Sequence, residues 1–93
     1  MIALVTECVR KALTEFLSGH DYAPADIAFT VEYTKSSEHG DVATNVAMLM
    51  AKKHQQSPRD IAQALVPIFQ KEAIFTRVEV AGPGFINFFI EQF

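Results

Sequence analysis

The 93-residue sequence predicts an α+β domain, with helices packed on one face of a small antiparallel sheet. Apolar residues recur at helical spacing in three segments and alternate with period two in three others. In chain order these read α-β-α-α-β-β, and the last two strands are joined by a Gly-Pro-Gly turn.

The first helix spans Ile2 to Leu17, where Ile2, Val5, Val9, Leu13, Phe16 and Leu17 form a one-sided stripe. Gly19 stops it, and His20 to Pro24 reads as a loop. Ile27, Phe29, Val31 and Tyr33 then alternate with Ala28, Thr30, Glu32 and Thr34, predicting a strand with one buried face. Lys35 to Gly40 is polar and loop-like. Asp41 has the character of an N-cap, opening a helix from Val42 to about His54 that is apolar nearly all round and therefore central. Ser57 and Pro58 start the next helix, with Ile61, Leu65, Ile68 and Phe69 as its stripe. Pro67 should kink it or end it nearby. Strands over Ile74–Val80 and Phe85 to about Glu91 complete the order, joined by Ala81-Gly82-Pro83-Gly84 as a hairpin.

Length and composition fit one domain over residues 1–93, with 49% hydrophobic residues and eight Phe to fill a small core. The single cysteine, Cys8, excludes an internal disulfide and suits a small buried position, which fits a reducing compartment. No apolar run reaches membrane-spanning length and no secretion signal opens the chain, so a soluble, cytoplasmic protein with no membrane partner is expected. The net charge of −3 argues against a free-standing nucleic-acid binder, because phosphate neutralisation normally supplies most of the affinity. An accessory module of a larger protein fits better. The end at Phe93, straight out of a strand, reads as a cut.

The last strand carries the candidate site. Period-two alternation sets Ile86, Phe88 and Ile90 on one face and Phe85, Asn87 and Phe89 on the other. Rings interleaved with a carboxamide, turned outward, suit stacking on a base and bonding its edge. They equally suit packing against another domain. A four-residue loop would pair Val80 with Phe85 and Val78 with Asn87. A bulge at Gly82 or Gly84 would instead bring Arg77 and Glu79 beside Phe85 and Asn87. Both registers are compatible with the residues.

Other clusters offer less chemistry. Lys52, Lys53, His54 and Arg59 read first as a solvated helix end and second as a phosphate contact. In Glu38-His39-Gly40-Asp41, a turn and a cap account for Gly40 and Asp41, and His39 lacks a second ligand at metal spacing. No nucleophile elbow, phosphate-binding glycine loop or dinucleotide fingerprint occurs, so neither a catalytic nor a metal site is expected.

Three stretches nevertheless match a family in order and spacing: His39-Gly40-Asp41-Val42-Ala43-Thr44-Asn45 with Val46-Ala47-Met48, Ser57-Pro58-Arg59-Asp60-Ile61-Ala62, and Val78-Glu79-Val80-Ala81-Gly82-Pro83-Gly84-Phe85-Ile86-Asn87. Together they resemble the N-terminal domain of bacterial-type arginyl-tRNA synthetase over essentially the whole chain. One departure is Val42, where the family often carries an aromatic residue. The resemblance implies an appendage to a class I catalytic domain in the same chain, with the D-loop corner of tRNA(Arg) as partner. It assigns base reading to Phe85 and Asn87. The parent would use ATP and magnesium to charge tRNA with arginine. This segment holds neither ATP-site motif of the family and implies no cofactor of its own.

Overall fold

In a computed structural model the residues described are 2–17, 27–35 and 37–90. The predicted loop at His20–Pro24, the stop at Gly19 and the end of the last strand at Glu91 lie outside them. The expected elements occur in the expected order, and a fourth strand is added. They are α1 (Ile2–Phe16), β1 (Val31–Tyr33), β2 (Val42–Thr44), α2 (Val46–His54), α3 (Pro58–Phe69), β3 (Phe75–Ala81) and β4 (Phe85–Ile90). A 3-10 turn over Ser37–His39 precedes β2. The sheet order is β1-β2-β4-β3, antiparallel throughout.

The added strand corrects the N-terminus of the central helix. Val42 and Thr44 do not form a first helical turn. They point into the core from β2, and Ala43 between them faces the other way. Asp41 accordingly is not the N-cap of α2. Its carboxylate Oδ2 accepts the Ile90 N–H at 2.7 Å, and its own N–H donates to the Phe88 carbonyl at 2.8 Å. The helix begins four residues later, with Asn45 at the N-cap position.

The first strand is shorter than its alternation predicts. Only Val31–Tyr33 pairs, because β2 offers just three residues before the chain turns into α2. Beyond that point side chains take over from the ladder. The Thr30 N–H donates to Asn45 Oδ1 at 2.8 Å, and the buried Thr44 hydroxyl donates to the Thr30 carbonyl at 2.8 Å. These two side chains supply partners to the Thr30 backbone where the ladder has ended. Tyr33, expected on the buried face, sits on an edge strand and is 63% exposed.

All three helices cover one face of the sheet. Val5, Val9 and Leu13 of α1, Val46 and Met50 of α2, and Ile61, Leu65 and Phe69 of α3 share one core with Val42, Val78, Ile86 and Phe88. At its centre Phe88 stacks on Phe75 with centroids 4.5 Å apart and meets Phe69 edge-on at 4.9 Å. Burying a ring of this kind contributes about 1.5–3 kcal/mol. Cys8 is buried in α1, and that burial, reinforced by the charge of Glu72, pushes its thiol above the ordinary 9.0. Pro58 occupies the first turn of α3 as expected, but the Ser57 hydroxyl makes no capping bond. Pro67 lies two residues before the end of α3.

Candidate nucleic-acid interface on the open sheet face

The hairpin adopts the shifted register. Ala81 pairs with Phe85, Val80 with Ile86, Glu79 with Asn87, Val78 with Phe88 and Arg77 with Phe89. A three-residue loop makes this possible, because Gly82 and Gly84 both take positive φ. Val78 and Val80 therefore share the helical side with Ile86 and Phe88, and no valine faces outward among the rings. Gly84 has a second constraint, since a Cβ there would lie 2.6 Å from Pro58 Cβ. The Arg59 guanidinium donates to the Gly82 carbonyl, tying the first turn of α3 to the same loop.

Phe85, Asn87 and Phe89 lie on the face opposite the helices, as the alternation predicts. Phe85 is open, at 41% exposure. Asn87 is more covered than expected, at 6%, because β4 is an inner strand and Ala43 and Glu79 flank it on either side. It is nonetheless not sealed into the core. Asn87 and Phe85 both line an open concavity of about 650 Å³, together with Ala43, Gly82, Tyr33, Thr34, Lys35 and His39. Among the described residues no side-chain hydrogen bond is made by the Asn87 carboxamide. A buried amide left unsatisfied costs roughly 1–3 kcal/mol, so this carboxamide depends on what occupies the concavity for its hydrogen bonds.

Arg77 is not beside Phe85. Its guanidinium lies 4.2 Å from the Phe89 ring centroid, and its Nε meets Glu79 Oε2 at 2.8 Å. The Glu79 carboxylate opposite Asn87 is thereby neutralised. Lys52 and Lys53 are exposed near the end of α2, in the helical layer, away from the ring and amide. Sequence reasoning missed two lining residues, Lys35 and His39. The missing signal was β2 itself, since only a β1–β2 hairpin brings the loop between them against β4.

Elsewhere, a cleft of about 150 Å³ between α1 and α3 is bordered by the pairs Lys11–Glu72 and Lys71–Glu15. Among the described residues no group of three or more His, Cys, Asp or Glu could hold a metal, and no helix is long and apolar enough to cross a membrane.

One face covered by helices and the other presenting a ring and an unpaired amide define an open-faced α+β domain. The chain belongs to the family described as the arginyl tRNA synthetase N terminal domain, which matches residues 3–90. It is 45% identical over 75 residues to an arginine–tRNA ligase of Carboxydothermus hydrogenoformans, covering 81% of this chain and 14% of that protein. It is 40% identical over 89 residues to one of Thermotoga maritima, covering 96% and 16%. Among solved structures, arginyl-tRNA synthetase of Thermus thermophilus shares the fold at TM-score 0.65 and 20% identity, over 91% of this chain and 14% of that one. The Plasmodium falciparum enzyme does so at TM-score 0.69 and 16% identity, over 94% and 16%. The chain thus corresponds to a small part of each relative.

Proposed function

We propose that the open sheet face binds an unstacked base of tRNA(Arg), at the D-loop corner, within a larger ligase that joins arginine to tRNA at the expense of ATP and magnesium. Phe85 supplies the stacking surface and Asn87 bonds the base edge. The catalytic domain, in this reading, belongs to the same chain, and the module itself makes and breaks no bonds. The observation that supports it is the unpartnered Asn87 carboxamide on a concavity whose wall is an exposed ring. Packing against an apolar neighbour would account for Phe85 but would leave that amide unsatisfied. Lys52 and Lys53 enter only as a separate backbone contact, and Arg77 as the group that fixes Glu79 and Phe89.

Stacking contributes roughly 1–3 kcal/mol per base, which is too little for tight binding by a chain of net charge −3. The isolated module should therefore bind tRNA weakly at physiological salt. In a ligase carrying this domain, Phe85→Ala should raise the KM for tRNA about five-fold or more, with kcat at saturating tRNA retained. Asn87→Ala should act in the same direction. Wild-type KM in both variants would remove the base-binding reading.

A further inference from the structure

We propose that Lys35 and His39 form a phosphate-holding wall of the same concavity, so that it receives a whole nucleotide rather than a base alone. This rests on Phe85 and Asn87 binding the base. Both residues line the concavity with that pair, and both are exposed.

Their availability on the sheet side sets them apart, since Lys52, which also enters no ion pair among the described residues, lies on α2 in the helical layer. Arg77 is committed to Glu79 and Phe89, and Arg59 to the Gly82 carbonyl. Arg10, Lys11 and Lys71 are ion-paired in the helical layer. Among the described residues, Lys35 enters no ion pair and His39 no side-chain hydrogen bond. An acidic chain thus leaves, among the described residues, an ammonium without an ion pair on a concavity that holds the ring and amide. An imidazole keeps an N–H donor in either protonation state, and phosphate oxygens accept from both groups.

The residues that flank them, Thr34 and Gly40–Asp41, are tied to each other and to β4. The Thr34 hydroxyl donates to the Gly40 carbonyl, and the Thr34 N–H to the Asp41 carbonyl at 3.2 Å. Asp41 in turn is bonded to both Phe88 and Ile90 of β4, the strand that carries Asn87. A Cβ on Gly40 would lie 2.6 Å from the Phe88 carbonyl oxygen, so Gly40 lies directly on that strand. The backbone on either side of Lys35 and His39 is thus anchored to the strand that carries Asn87.

The test is an NMR titration of the 93-residue chain with a tRNA(Arg) transcript, between about 20 and 150 mM salt. Lys35→Ala should reduce the slope of log K against log salt by about 0.7–1. Lys71→Ala removes the same charge from the helical layer and should leave the slope unchanged. At fixed salt His39→Ala should weaken binding about two- to five-fold, and His39→Gln, which retains an N–H donor, should recover most of it. Phe85→Ala should weaken binding equally at every salt concentration. The phosphate wall is overturned if Lys35→Ala keeps the wild-type slope, or matches Lys71→Ala, or if His39→Ala binds normally, while Phe85→Ala still weakens binding. If Phe85→Ala and Asn87→Ala bind as wild type, or tRNA perturbs no β4 amide even at the lowest salt, the base site falls with it.

Discussion

Asn87 concentrates the conflict between folding and binding in one side chain. It is buried on the open face, between Ala43 and Glu79, with no bond for its amide. A β-branched apolar residue would fit that strand position better and leave nothing unsatisfied. Asn87→Val is therefore expected to hold or raise the melting temperature while weakening tRNA binding. A loss of more than about 1 kcal/mol in denaturant unfolding would mean that the amide supports the fold instead. At this scale much was legible in advance. Alternation alone put Phe85 and Asn87 on the outer side and Ile86 and Phe88 inside. The depth of Asn87 was not, because side-chain coverage depends on which strands lie to left and right, and one of those strands was unforeseen.

The unforeseen element is β2, within the stretch from Asp41 to Asn45. Its composition, an acidic residue followed by a long apolar run, fits a capped helix as well as a short strand turning into one. Two residues could have signalled the difference. Thr44 stands where a capping box would want Glu or Gln, and Asn45 follows it as a second polar residue in an apolar run. Both serve the backbone of Thr30. The hairpin at Gly82–Gly84 was undecided rather than missed, since both registers obey the local rules. Tight contact between Gly84 and Pro58 and the bond from Arg59 accompany the three-residue loop. The strand assignment predicts that Asp41→Ala costs about 1–3 kcal/mol, because the Ile90 N–H loses its charged acceptor. Amide exchange at Ile90 should accelerate in that variant. An unchanged Ile90 amide, with exchange accelerating instead at the start of α2, would restore Asp41 to a capping role.

Across the described residues a single core joins the helices to the sheet, and the face proposed to bind is the reverse side of the face that folds. Phe69, packed edge-on against Phe88, links the two layers. Phe69→Ala should cost about 3–5 kcal/mol, a large share of the roughly 5–15 kcal/mol that holds a domain together. Helical circular dichroism and the NMR signals of β4 should be lost in one transition. Separate midpoints would show that the sheet stands without its helices.

Period and composition by themselves determined the class of fold and the faces of α1, α3 and β4, because these depend on side chains one or two turns apart, while the order and spacing of three motifs carried the resemblance to a family. Tertiary structure alone decided that Val42–Thr44 is a strand, that the hairpin closes over three residues, and that Lys35 and His39 line one concavity with Phe85 and Asn87. Each of those outcomes depends on contacts between segments distant in sequence, where local preference is nearly balanced and packing makes the choice.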